Sequence, residues 1–134
     1  MGLLSGKRPA GLGITNGKLK APPSSPNAVS SQASGGYHLI APLAYQSTPE
    51  QAMKALKAIV ESTPNTKIVE LKPGYLYAEY ASALLGFVDD VEFYFPPGAR
   101  VIHVRSASRL GYSDLGVNRK RIEAIRARFS QSAA

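Results

Sequence analysis

Chemistry-bearing side chains first recur with a period in the stretch Phe87-Val88-Asp89-Asp90-Val91-Glu92-Phe93-Tyr94-Phe95. Alternate residues of a strand share a face, so Val91, Phe93 and Phe95 fall on one side and Asp90, Glu92 and Tyr94 on the other. Paired carboxylates on one face can act as general acid and base or hold a hard cation, since both jobs need convergent oxygens. The turn sequence Pro96 to Ala99 predicts a hairpin with Phe95 opposite Arg100. Phe93 then faces Ile102, Val91 faces Val104, Glu92 faces His103 and Asp90 faces Arg105, which sets apolar against apolar and acid against base. His103 would complete an acid–base cluster. The plainer outcome is a cross-strand ion pair contributing about 0.2–1 kcal/mol. Neither an Asp-rich calcium loop nor an H-E-x-x-H motif is present, so no metal or cofactor is expected.

The segment from Arg105 to Arg121 carries the densest polar pattern, with Ser106, Ser108, Arg109, Tyr112, Asp114, Asn118 and Arg119 between its ends. It joins the last strand to the last helix. Ser113, Asp114 or Asn118 can cap that helix, and Gly111 and Gly116 permit turns closed to other residues. Arg105, Arg109 and Arg119 around a helix N-terminus also predict an anion cradle, because free N–H groups and guanidinium forks both favour carboxylate or phosphate. A serine hydrolase is discarded: His38 and His103 are the only histidines and there is no G-x-S-x-G elbow. Gly11, Gly13 and Gly17 do not sit between a strand and a helix, which removes a nucleotide loop. Tyr75, Tyr77, Tyr80 and Tyr94 are read as packing residues before cavity linings.

The elements that must position these groups follow from periodicity. Residues 1–36 are rich in Gly, Pro, Ser and Lys and hold no aromatic residue, which reads as a flexible basic arm; residues 37–134 read as one α+β domain. Tyr37 to Tyr45 suits a first strand, with Pro42 marking an edge or bulge. Thr48, Pro49 and Gln51 form a helix start with a capping box, and Ala52, Met53, Leu56, Ile59 and Val60 give that helix one apolar stripe. Strands follow at Lys67–Leu71, Tyr75–Ser82, Phe87–Phe95 and Val101–Ser106, joined by short turns. Val117 to Phe129 makes a closing helix with Ile122, Ile125 and Phe129 on one side. The order β-α-β-β-β-β-α predicts an antiparallel sheet with the C-terminal helix packed on it, a helix-grip-like arrangement.

The chain has 134 residues, a net charge of +7 and no cysteine, so one domain is expected and disulfide, thiolate and cysteine–zinc chemistry are excluded. The acids concentrate between Glu50 and Glu92, whereas the two ends are basic. Nucleic acid is disfavoured: tryptophan is absent, and Tyr112 and Phe129 alone interleave with the C-terminal bases. The most apolar patch, Ala81 to Val88, is too short to span a bilayer. The first residues lack the apolar core of a secretory signal, and Gly6 stands where a myristoylation motif at Gly2 needs Ser or Thr. A cytoplasmic location is the resulting expectation.

Three segments together, Ser25 to Gln32, Gly86 to Phe93 and Arg105 to Ile122, resemble the domain of unknown function 1499 family of bacteria and plastids. The string R-S-A-S-R-L-G-Y-S-D-L-G-V-N-R-K-R is the most distinctive part. The resemblance implies that Asp89, Asp90, Glu92, Arg105, Ser106, Ser108, Arg109, Tyr112, Asp114, Asn118 and Arg121 belong to the family signature, and it implies no activity, ligand or cofactor. Similar members commonly carry Cys where this chain has Ala28, which argues against a thiol-based role here. Some carry membrane or lipoprotein anchors.

The expected function is a small non-enzymatic domain that binds an amphipathic or anionic small molecule, or an acidic protein surface, near the arginine-rich loop. The alternatives are a purely structural or protein-interaction domain, and an enzyme using Asp90, Glu92 and His103.

Overall fold

The computed structural model describes residues 6–82 and 86–132. Gly2, and residues 83–85 of the apolar patch Ala81–Val88, lie outside them. Among the described residues six strands and two α-helices follow in the order β1 (Ala28–Ser30), β2 (Leu43–Ala44), α1 (Pro49–Glu61), β3 (Thr66–Lys72), β4 (Tyr75–Ala81), β5 (Val88–Tyr94), β6 (Val101–Ser108) and α2 (Val117–Ser130). The sheet is antiparallel, with β3 to β6 as a meander; β1 pairs with the second half of β6 and β2 with its start. This is an α+β fold.

Local chemistry explains the best-formed elements. Thr48 accepts the Gln51 N–H and the Gln51 side chain returns to the Thr48 N–H, closing the capping box ahead of Pro49. A cap of this kind contributes about 1 kcal/mol. Ala52, Leu56, Ile59 and Val60 of α1 and Ile122, Ile125 and Phe129 of α2 are buried on one sheet face, against Leu76, Ala78, Val91, Phe93, Ile102 and Val104. Each fully buried large side chain in this core contributes about 1.5–3 kcal/mol. The closing helix shares its face with α1 and does not cover the sheet alone.

The opposite sheet face is covered by the N-terminal segment. Leu19 is buried with Tyr75 and Tyr77, and Leu12 and Ile14 pack beside them. The arm that composition draws through residue 36 therefore includes sheet: Ala28–Ser30 pairs with Ala107, Ser106 and Arg105. Three buried residues amid Ser and Pro are too few to show alternation, which is why composition hides this strand. Tyr37 to Tyr45 is likewise not one strand. Gly36–His38 is a 3-10 turn opened by Gly36 at φ 68°, Leu39 makes an isolated bridge to Ser30, and strand pairing resumes after Pro42, which has no N–H to give.

The β5–β6 register is shifted by two residues from the expected one. Tyr94 lies opposite His103, Glu92 opposite Arg105 and Asp90 opposite Ala107. Pro96 and Pro97 cannot donate to a tight hairpin; the Phe95 N–H turns to the Gly74 carbonyl, and β6 first pairs with β2 at Val101 and Ile102. A shift of two preserves the faces, so Phe93 still meets a branched apolar residue, Val104. The expected contacts of Asp90 with Arg105 and of Glu92 with His103 are both replaced.

Candidate functional site

Strand alternation sorts the signature residues into two assemblies on opposite faces. On the face under the N-terminal segment stand Glu79 of β4, Asp90 and Glu92 of β5, Arg105 of β6 and Arg109 just beyond it. Arg109 binds Asp90 with two parallel bonds, Nε to Oδ2 at 2.9 Å and Nη2 to Oδ1 at 2.8 Å, and Nη2 also reaches Glu79 Oε2 at 2.5 Å. Tyr77 donates to the same Asp90 oxygen, and Tyr75 donates to Glu92 Oε2 at 2.5 Å. Two groups from the N-terminal segment complete the face: Arg8 donates to Glu79 through Nε and Nη2, and the Gly13 N–H donates to Glu92 Oε2 at 2.7 Å.

The electrostatics follow from burial and partners. Asp90 is 1% exposed and Glu92 0%. Asp90 holds the Arg109 guanidinium well above its ordinary pKa, with Glu79 adding to it against burial. Burial alone would raise the Glu79 carboxyl, but the bonds from Arg8 and Arg109 outweigh it and hold the group below its usual range. Burial first, then the bonds to Glu92 and Asp90, pushes the Tyr75 and Tyr77 hydroxyls up, so both remain donors. Arg105 is less well matched. Its Nε donates to the Lys20 carbonyl at 2.9 Å, but Nη1 is 3.9 Å from Glu92 Oε1, too long for a hydrogen bond. Both of those atoms are buried without a hydrogen-bond partner among the described residues. Burial lowers the Arg105 pKa, with Glu92 and Asp90 pulling the other way.

The second assembly lies on the helix face. Asn118 at the start of α2 is fully buried; its Oδ1 accepts from Ser106, and its Nδ2 donates to Asp114, Ser108 and the Asn27 carbonyl. Arg121 donates to Ser106 and Asn118 through Nη1 and pairs with Asp89 through Nη2 at 2.7 Å. Its guanidinium lies 4.9 Å from the centre of the Tyr80 ring, and burial pushes the Tyr80 hydroxyl up to about 12. Asp114 accepts the Gly116 and Asn118 N–H groups and the Tyr37 hydroxyl. These bonds overcome burial and hold its carboxyl below the ordinary value.

Thus the structure joins Asp90 with Arg109, places Glu92 near Arg105, and gathers Ser106, Ser108, Asp114, Asn118 and Arg121 elsewhere. The expected cradle of Arg105, Arg109 and Arg119 around a helix N-terminus is not formed. Arg105 and Arg109 occupy the far sheet face, Arg119 donates to the Tyr37 and Leu39 carbonyls, and the carboxylate at the helix start is the chain's own Asp114. His103 stands apart, stacked on Tyr94 at 6.4 Å with Nδ1 3.0 Å from the Ser31 hydroxyl; burial, then Lys18, lowers its pKa. Tyr112 is 75% exposed. Sequence reasoning missed Glu79, although it shares a strand face with Tyr75 and Tyr77, and missed Arg8 and Gly13, whose roles have no local signal. It also left Asp89 outside the candidate site despite its place in the signature.

A cleft of about 490 Å³ opens at the β6–α2 loop. Val88, Leu110 and Val117 are among its apolar walls, and Asp89, Ser108 and Arg121 among its polar ones. A cavity of about 310 Å³ on the other face is lined by Lys7, Lys20, Asp90, Arg105 and Arg109 among others. A larger depression of about 690 Å³ between α1 and the end of α2 touches none of the signature residues.

These features define a small α+β domain whose antiparallel sheet carries buried polar networks on both faces. The chain belongs to the family described as proteins of unknown function, DUF1499, whose sequence profile matches residues 18–129. A search of curated proteins found no match. Among the described residues no helix is long and apolar enough to cross a membrane.

Proposed function

We propose that the domain binds a small amphipathic molecule in the cleft between the start of β5 and the β6–α2 loop. The observation that carries this reading is the exposure of Phe87, Leu110, Leu115 and Val117 around one opening whose other side is charged. Large apolar side chains gathered at one place favour a covering partner, because leaving them in water forgoes about 25 cal/mol for each Å² of apolar surface. The volume suits a small organic ligand. Asp89 and Asp114 against Arg121 leave the cleft with one formal negative charge in excess, so a neutral or cationic head group is favoured over an anionic one.

The signature residues behind the cleft act here as a scaffold. Asn118, Ser106, Asp114 and Arg121 already satisfy one another, and their bonds fix where the loop and the first turn of α2 stand. That saturation also favours the competing reading of a purely structural domain, and one titration separates the two. The neutral fluorophore N-phenyl-1-naphthylamine should bind saturably, and Phe87→Ser with Leu110→Ser should weaken it by about tenfold with the fold intact. A signal that does not saturate, or is unchanged in that variant, favours the structural domain.

A further inference from the structure

The cavity on the face away from the helices has a different character from the amphipathic cleft. Strand alternation puts Asp90, Arg105, Ala107 and Arg109 on this side, and Lys7 and Lys20 reach it from the N-terminal segment. Four cationic groups line it against one carboxylate, Asp90. That carboxylate is already engaged: both its oxygens accept from Arg109, and Tyr77 donates to one of them. Arg109 is equally committed, to Asp90 and Glu79.

Of the cationic groups lining it, Arg105, Lys7 and Lys20 are not hydrogen-bonded to a carboxylate among the described residues, and the counter-charge nearest Arg105 is Glu92, just outside the lining. The Arg105 side chain is 4% exposed, yet Nη1 finds no hydrogen-bond acceptor, and the nearest carboxylate oxygen stands off at 3.9 Å. A buried guanidinium N–H left without an acceptor is costly, and an oxyanion is the group that matches the two Nη of the fork, since Nε is already given to the Lys20 carbonyl. The lysines are exposed and so can close on an anion from the solvent side; the Lys20 ammonium already bends back to the Ala10 carbonyl at 2.7 Å.

We propose that this cavity is a site for a small oxyanion, phosphate or carboxylate, held by Arg105 with Lys7 and Lys20. Its location under residues 7–23 means that an occupant would also tie the N-terminal segment to the sheet. It is independent of the amphipathic cleft, which lies on the other face of β5 and β6.

Nuclear magnetic resonance of the full chain tests it, with inorganic phosphate and separately acetate titrated at constant ionic strength in chloride. The expected result is a saturable shift of the Arg105 Nε–H and of the Ala21 and Ala107 amides with at least one of the two anions; which one saturates tells phosphate from carboxylate. Lys7→Gln with Lys20→Gln, both at exposed positions, should weaken that binding by about tenfold without lowering the melting temperature. Arg105→Lys keeps the charge but not the fork and should weaken it as well. Shifts that chloride alone reproduces, shifts that fail to saturate with either anion, or an affinity unchanged in the double lysine variant would overturn the site.

Discussion

Arg109 and Asp90 are joined by two parallel N–H···O bonds on the sheet face opposite α2, with side chains 3% and 1% exposed. Arg8 meets the same network from outside, bonding Glu79 with its own side chain 50% exposed. Burial decides which of the two arginines matters for stability. Removing Arg109 leaves Asp90 buried without its cation and Glu79 with Arg8 alone, so Arg109→Met should cost about 3–5 kcal/mol in urea unfolding. Arg8→Gln should cost about 0–1 kcal/mol, because water replaces the exposed partner. Similar costs for the two variants would contradict this assignment.

What the sequence discloses depends on how local the cause is. The α1 start is readable because Thr48, Pro49 and Gln51 act on neighbouring backbone groups. The division of Asp90 and Glu92 from Val91 and Phe93 is readable because alternation survives a register shift of two. The partner of Asp90 is not, since it depends on how many residues the Pro96–Pro97 turn consumes and on β2 capturing the start of β6. Glu79 and Arg8 lie 71 positions apart, and nothing in either neighbourhood announces the pair. The acidic and guanidinium groups do share a surface, as expected, but it faces the N-terminal segment and not the closing helix.

Acid sensitivity should trace to two carboxyls. Glu79 and Asp114 titrate below their ordinary values of 4.5 and 3.8 in the folded chain. A carboxyl depressed by folding stabilises above its unfolded value, and that stabilisation is lost as pH falls through the folded value. The melting temperature should therefore hold above about pH 5 and decline below about pH 4.5. Glu79→Gln and Asp114→Asn should each start lower but decline less over the acid range. An acid slope unchanged in both variants would place the sensitivity elsewhere.

The start of α2 offers a separate test. Gly116 precedes the helix at φ 82°, so the first turn takes its cap from Asp114, two residues earlier, which accepts the Gly116 and Asn118 N–H groups. Asp114→Ala should cost about 1–2 kcal/mol, at the high end for a cap because the site is buried. Helical circular dichroism should change little, since Ile122, Ile125 and Phe129 still anchor the helix in the core. A cost below about 0.5 kcal/mol would mean that water satisfies these N–H groups and that the carboxylate is not the cap.

Glu92 is the point at which the N-terminal segment is fastened to the sheet. Its Oε2 accepts the Tyr75 hydroxyl at 2.5 Å and the Gly13 N–H at 2.7 Å, while Leu19 closes over Tyr75 and Tyr77 nearby. A backbone N–H given to a buried carboxylate is charge-assisted and slow to open, so the Gly13 amide should resist hydrogen exchange although it lies outside any strand or helix. Glu92→Gln keeps the shape and removes the charge, which should speed exchange at Gly13 by about tenfold relative to the Val91 amide in the β5 ladder. Normalising to Val91 separates release of the segment from any general loss of stability caused by leaving Arg105 without its nearest carboxylate. If Gly13 in the unmodified protein exchanges as fast as a solvent-exposed loop amide, the fastening does not exist, and the N-terminal segment rests on its apolar contacts alone.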